Sequence, residues 1–276
     1  MQKILFFDID GTLAYPLQSP ALSTVDAIRK ARSNGHKAFI STGRTWDSIP
    51  QAVAEIGFDG GIFSAGGIVM LGNSILKQHH MAGHTMEAVL ALFEKKSVYY
   101  VLETADGRFG SENGHIVLAE VNMENVSQQM QQLTADILTD PTTRPMSEYE
   151  DQPIFKIAYH STDPGITDQL TTELNDIAKI VQFNNIPGLP ITIGEISDPN
   201  VNKGHAMLDV CQYYGKTEID CIAFGDSMND SQIIIAAGTG VAMGNADQQL
   251  KDLADMVCDS CENDGIAKAL CRLSII

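Results

Sequence analysis

The tightest constraint in this chain lies at its start, in the stretch "KILFFDIDGTL", residues 3 to 13. Ile4, Leu5, Phe6 and Phe7 have the make-up of a strand covered on both faces. They run straight into two carboxylates, Asp8 and Asp10, separated by one residue. Carboxylates are rarely buried unless a cation, hydrogen bonds or a proton compensates them. Side chains alternate along a strand, so a strand continuing through Asp10 would aim both acids at one ligand. Gly11 then permits a sharp exit, and Thr12 adds a hydroxyl and a backbone donor.

The rest of the composition narrows the ligand. The 276 residues carry 18 Lys and Arg against 35 Asp and Glu, a net charge of −17. Nucleic acid and anionic membrane are therefore excluded as partners, because both need a positive face. No apolar run approaches the length of a membrane span, and the N-terminus lacks the basic start and apolar core of a signal peptide, so a cytoplasmic protein is expected. Five cysteines, an odd count, read as reduced thiols. Cys258 and Cys261 form a CxxC pair, but two further soft ligands at zinc spacing are missing, and the pair reads as structural.

Strand and helix signals alternate at both ends of the chain. After the first strand comes a helix with Leu22, Val25, Ile28 and Ala31 on one face, ended by Gly35, and then the strand "KAFIS". A second amphipathic stretch, Ile49, Val53 and Ile56, precedes "GGIFS". Near the C-terminus the spacing predicts a helix with Met207, Leu208, Cys211 and Tyr214 inward, the strand "IDCIAFGD", and short strands in "GVAMG" and "DMVCD". Such alternation implies crossover units and a parallel sheet. The middle differs: segments 98–104, 107–111, 115–121, 154–160 and 190–196 predict a partly exposed antiparallel sheet, with helices at 84–96 and 165–178. The expected organisation is an α/β domain built from residues 1–81 and 197–276, interrupted by an α+β domain over 82–196. Ligands of a parallel α/β sheet bind beyond the carboxyl ends of its strands, where an inserted domain can cover them.

Four short stretches stand where core strands end or a core helix begins: "DIDGT" (8–12), "STGR" (41–44), "NKG" (202–204) and "GDSMND" (225–230). Asp226 and Asp230 bring two more acids toward Asp8 and Asp10. Converging carboxylates repel, and a hard divalent cation with oxygen ligands relieves that; Mg2+ is the natural one, since it accepts carboxylates, a carbonyl, waters and phosphate. Lys203, Arg44 and the hydroxyl of Thr42 or Ser41 are donors. Acids with a metal on one side and donors on the other describe a phosphate pocket.

In this order the four motifs resemble those of the haloacid dehalogenase superfamily, specifically its Cof-type, subfamily IIB phosphatases. "GVAMGNA" (240–246) and "NDGIAKAL" (263–270) extend the resemblance across both core segments, and the inserted region shares little of it. The resemblance implies a three-layer α/β/α Rossmann-like core with a parallel sheet and an inserted α+β cap. It implies Asp8 as the nucleophile that forms an aspartyl phosphate and Asp10 as the general acid and base. It also implies Thr42, with Gly43, Arg44, Lys203 and Asn229, as phosphate contacts. The metal would be held by Asp8, the Asp10 backbone carbonyl and Asp226, with Asp230 as ligand or support. The chain departs at "SAGG", where Ala65 stands in place of the usual Asn.

The expected activity is Mg2+-dependent hydrolysis of a small phosphorylated metabolite, a sugar phosphate being the leading class. A phosphotransferase or mutase of the same superfamily, and a slow phosphometabolite-binding regulator, are the alternatives. Other residues have plainer readings. His79, His80 and His84 read as exposed linker residues, because adjacent side chains on an extended segment point opposite ways. Trp46 reads as packing for the helix that follows it.

Overall fold

The computed structural model describes residues 2–15, 18–96, 98–174, 176–183 and 188–276. Its chain divides into two compact units, Met1–His79 with Asn200–Ile276, and His80–Pro199.

The first unit opens on β1 (Ile4–Phe7), whose four residues are all fully buried, as an apolar run with no alternation requires. It continues through α1 (Leu22–Ser33), β2 (Lys37–Ser41), α2 (Gln51–Ala54) and β3 (Gly60–Phe63), then β4 (Ile68–Leu71) and β5 (Ser74–Gln78). In the second unit follow α3 (Gly83–Lys96), β6 (Tyr99–Thr104), β7 (Gly107–Gly110), α4 (Gly114–Glu120), α5 (Gln128–Leu138) and β8 (Thr143–Pro145). That unit ends with β9 (Ile154–Ser161), α6 (Ile166–Leu174), β10 (Lys179–Gln182) and β11 (Thr192–Ser197). The chain then returns to the first unit with α7 (Lys203–Tyr213), β12 (Cys221–Gly225), α8 (Ser231–Ala236), β13 (Thr239–Ala242), α9 (Gln248–Leu253), β14 (Met256–Val257) and α10 (Gly265–Arg272).

Among the described residues the first unit holds an eight-stranded sheet in the order β14-β13-β12-β1-β2-β3-β4-β5. The strands from β14 to β3 are parallel, as expected. The last two are not: β4 and β5 add an antiparallel hairpin at the edge. Gly72 and Asn73 make its turn, and "IVML" beside an exposed "SILKQ" hides the pair from a search for crossover units.

Register assigns the faces. Phe6 pairs with Phe39 and Ala223, and Phe39 packs edge-on against Tyr214 at the end of α7, so Ile4, Phe6 and, one step on, Asp8 lie on the α7 side. On α1 the buried residues are Thr24, Ala27, Ile28 and Ala31. The expected inward face is thus turned by about one position, and Leu22, at the first helical residue, is 81% exposed. Leu208 on α7 likewise faces out, whereas Met207 and Cys211 are buried.

The second unit holds a six-stranded sheet in the order β10-β11-β9-β6-β7-β8. Segment 115–121, expected as a strand, is the helix α4. Its β-branched residues suggested a strand, yet Val117 and Val121 sit one helical turn apart and pack together against Tyr99, Val101 and Leu138, so tertiary packing overrides propensity. Helix α6 spans Ile166–Leu174, and residues 176–178, expected within it, lie outside it; α5, β8 and β10 lie in segments too polar to signal themselves. One sheet face carries Leu102, Phe109, Ile157 and Tyr159 against Val89 and Phe93 of α3 and Leu170 of α6.

His160, on the opposite face, is 7% exposed, and burial together with the nearby Arg108 charge lowers its pKa to about 4. The unfolded chain therefore takes up a proton that the folded chain does not as pH falls below 6.5. Stability from this residue is complete above that value and is lost toward pH 4, at about 1.4 kcal/mol per pH unit. Urea unfolding between pH 7 and 4 is expected to show this slope, and His160→Phe to flatten it.

Candidate active site

The site is assembled from loops at the carboxyl edge of the first unit's parallel strands. The strand β1 ends at Phe7, and the Asp8 amide still donates to the Phe224 carbonyl of β12 at 3.1 Å. Asp8 is 4% exposed. After Ile9 the chain turns back, with the amides of Thr12, Leu13 and Ala14 donating to the Ile9 carbonyl. The two acids therefore do not continue one strand as expected. Asp8 is buried and Asp10 lies at the rim, each with its own cation.

For Asp8 that cation is Lys203. Its Nζ donates to Asp8 Oδ1 at 2.8 Å and to Asp230 Oδ1 at 2.5 Å, and it is 1% exposed. Lys203 is the first residue of α7, where the Asn202 side chain caps the helix by accepting from the His205 amide. A cation at a helix N-terminus opposes the helix dipole, so local helix energetics do not explain it; the two carboxylates do. Gly204 is required next to it, because a Cβ there would lie 2.7 Å from the Gln232 carbonyl oxygen of α8. Burial works against the charged lysine, but Asp230 and Asp8 outweigh it and raise its pKa.

Asp230 is wholly buried, and both its oxygens are occupied: Oδ1 by Lys203, Oδ2 by the amides of Asp226 at 3.1 Å and Ser227 at 3.4 Å. Asp226 accepts from the Thr12 hydroxyl at 3.4 Å. It also presses on Gly11, whose φ of +87° suits glycine and where a Cβ would sit 2.2 Å from Asp226 Oδ2. The Asn245 amide holds the same turn by donating to the Gly11 carbonyl at 2.8 Å, while its oxygen accepts from the Cys261 amide.

One carboxylate oxygen each of Asp8, Asp226 and Asp230 lies within 4.8 Å of the others. Burial, then Asp230, pushes the Asp8 pKa well above the usual range against the pull of Lys203. Burial and Asp230 likewise push Asp226 up to about 7. Three acids sharing one lysine are short of positive charge, and a divalent cation fits that deficit.

The donor side is more varied. Arg44 makes a two-pronged bridge to Asp10, Nε to Oδ2 and Nη2 to Oδ1, both 2.7 Å, and this hydrogen bonding raises the arginine's pKa. Arg44 is thus committed to orienting Asp10. Thr42 is buried, and its hydroxyl accepts from the Arg44 amide at 3.1 Å. Gly43 stands between them with open space at its Cα. Asn229 is exposed on a short turn, its side-chain oxygen accepting from the Ser227 hydroxyl at 2.9 Å. The Ser41 and Ser64 hydroxyls are buried and find no hydrogen-bond partner among the described residues. Ser64 had no signal in the sequence; it opens a run of positive φ through Ala65 and Gly66 at the "SAGG" departure. Ala65, at φ 56° and ψ 26°, occupies a conformation that Asn adopts more readily than Ala. Trp46 is 49% exposed. His79 bonds Asp209 at 2.7 Å and is no idle linker residue.

Parallel strands whose carboxyl ends gather acids around one buried lysine define a class, the haloacid dehalogenase-type phosphoric monoester hydrolases. The sequence model of the haloacid dehalogenase-like hydrolases matches residues 5–270, and the chain belongs to that family, as a phosphoric monoester hydrolase. Among its relatives is the 5-amino-6-(5-phospho-D-ribitylamino)uracil phosphatase YcsE of Bacillus subtilis. The two are 26% identical over 270 residues, spanning 97% of this chain and 94% of that one. The HMP-PP phosphatase of Yersinia enterocolitica is 26% identical over 277 residues, or 98% and 94% of the two chains. In fold the chain is similar to the subclass IIB sugar phosphatase BT4131, with a TM-score of 0.78 at 23% identity and full coverage of both chains.

Replacing Lys203 by Met strands two buried carboxylates, and a loss of about 3–5 kcal/mol is expected in urea unfolding. Gly11→Ala is expected to displace Asp226 and cut activity while the far-UV circular dichroism stays native.

Proposed function

We propose that the chain hydrolyses the monophosphate ester of a small metabolite, in the cytoplasm, by way of an aspartyl phosphate on Asp8 and with Mg2+ as the metal. The buried knot of Asp8, Lys203 and Asp230, with Asp226 in reach, carries this reading. Lys203 occupies Asp8 Oδ1 only, so Oδ2 is the oxygen offered to phosphorus. Attack by Oδ2 forms the new P–O bond as the ester P–O bond breaks, and the leaving oxygen takes its proton from Asp10. Asp10 then accepts a proton from water as that water attacks the phosphoryl group, releasing inorganic phosphate and restoring Asp8.

Arg44 holds Asp10 at the rim through both carboxylate oxygens and favours its ionised form, so this bridge has to open on at least one oxygen before Asp10 carries a proton to the leaving group. Thr42, the Gly43 amide and Lys203 supply donors to the phosphoryl oxygens, and the buried Ser41 hydroxyl adds a further one; Asn229 is a weaker contact, already engaged by Ser227. Asp8, Asp226 and the Asp10 carbonyl would hold Mg2+, with Asp230 as a support that fixes Lys203 and the Asp226 amide. A bound divalent cation supplies charge neutralisation for the phosphoryl oxygens and keeps Asp8 anionic. A sugar phosphate or a related phosphorylated metabolite is the substrate class favoured, in keeping with what the relatives are named for.

Hydrolysis of p-nitrophenyl phosphate with Mg2+ tests the reading, and Asp8→Asn is expected to lower kcat by at least about 10³-fold. Normal turnover by that variant would overturn it. Asp226→Asn is expected to raise the Mg2+ concentration for half-maximal rate by about tenfold or more, and chelation with EDTA to abolish turnover reversibly.

A further inference from the structure

Two stretches singled out in the sequence, residues 240–246 and 263–270, take no part in the chemistry proposed above. The hydrogen bonds show what the first of them holds. Past the end of β13 the Met243 amide donates to the Gly225 carbonyl at 2.9 Å and the Asp247 amide to the Asp226 carbonyl at 3.0 Å, so the turn 243–247 grips two successive carbonyls of the loop that carries Asp226. Between those two bonds the Asn245 side chain crosses to the other acid-bearing loop, its Nδ2 donating to the Gly11 carbonyl at 2.8 Å. One turn therefore ties together the two loops that would share a divalent cation. The Thr12 hydroxyl also joins them, at a longer 3.4 Å, but it does so through a carboxylate oxygen of Asp226. Asn245 makes the tie without occupying any carboxylate.

What Asn245 fixes can be followed peptide by peptide. Gly11 sits at a φ of +87°, and a glycine has little of its own to hold it there. Its amide donates to the Ala14 carbonyl at 2.8 Å. A trans peptide is planar with its C=O and N–H on opposite sides, so that bond turns the Asp10 carbonyl away from Ala14. The following peptide, which carries the Gly11 carbonyl, is the one Asn245 holds. Both peptides flanking Gly11 are thus fixed, and with them the Asp10 carbonyl, the backbone atom assigned above to the metal. The strut is itself backed: Asn245 Oδ1 accepts from the Cys261 amide at 3.0 Å, and the Gly244 amide donates to the Asp259 carbonyl at 3.2 Å. The approach is close enough that a Cβ on Gly244 would stand 2.6 Å from the Ser260 amide nitrogen. The second stretch anchors this backing, since the Gly265 amide at the start of α10 donates to the Ser260 carbonyl at 3.2 Å. We infer that Asn245 is a positioning residue that raises the affinity for Mg2+ by holding the Asp10 carbonyl and the Asp226 loop in place before the ion arrives.

The inference rests on the Mg2+ site proposed above, and calorimetric titration of the EDTA-treated full chain with MgCl2 alone tests it without recourse to turnover. Asn245→Leu, close in volume, removes both side-chain bonds and is expected to weaken Mg2+ binding about tenfold, as loss of a group behind a metal ligand does. Asn245→Asp keeps an acceptor for the Cys261 amide but cannot donate to Gly11. Its added negative charge alone would tighten a cation, so weaker binding by this variant assigns the effect to the lost donor. Lys251→Met removes a 2.7 Å bond to the Gly244 carbonyl, loosening the same turn away from Gly11, and is expected to leave Mg2+ affinity unchanged. Thermal melts without metal check that each variant is folded, and the aspartate variant decides if the leucine variant is not. Unchanged affinity in Asn245→Leu, tighter binding in Asn245→Asp, or an equal loss in Lys251→Met overturns the inference. Absence of Mg2+ binding by the wild-type chain overturns it together with the metal site. Wild-type Mg2+ binding without hydrolysis of p-nitrophenyl phosphate overturns the phosphatase reading alone, and the calorimetry still decides for Asn245.

Discussion

A single ammonium group, Lys203 Nζ, lies between Asp8 and Asp230 almost out of reach of water, and the architecture of the first unit follows from keeping it there. A buried charge costs several kcal/mol unless its partners are placed to meet it. Meeting this one takes the end of β1, the cap of α7 and the loop after β12 together. Asp230 cannot serve Lys203 alone, since its other oxygen holds the amides of Asp226 and Ser227 and so sets where Asp226 stands. Asp226 in turn leaves room only for a glycine at position 11. Each motif is thus the boundary condition of another, which is why the four have meaning only as a set.

The same logic separates Asp8 from Asp10. Two residues apart in sequence, they differ in burial and in partner: a buried ammonium for one, a two-pronged guanidinium at the rim for the other. Environment, not spacing, gives two identical side chains different burial and different partners.

Much of this was legible in the sequence because apolar strands and the residues at their ends are local signals. Ile4–Phe7 reads as a buried strand, and the acids after it demand a cation whatever the fold. What stayed hidden depends on contacts between distant segments. Arg44 was expected to face phosphate, and nothing near it in the chain announces its bridge to Asp10, 34 residues away. Val117 and Val121 carry β-type side chains that signal a strand, and only the sheet beneath them makes this segment the helix α4. The edge hairpin β4–β5 has no motif, since it is defined by neighbours across a sheet. Leu22 and Leu208 show the residual error of a helical wheel drawn without its partner.

The insertion of one unit into the other also bears on how the chain is made. β1 lies between β2 and β12, so one whole side of it is an open edge until residues 221–225 leave the ribosome. The lysine that compensates Asp8 arrives 195 residues after it. The inserted unit, by contrast, is continuous in sequence, and its strands pair within it. Synthesis therefore delivers a complete inserted unit while the older one still lacks three of its eight strands and has an uncompensated acid at its centre. The exposure of β1 to misplaced partners lasts as long as it takes to translate that insertion.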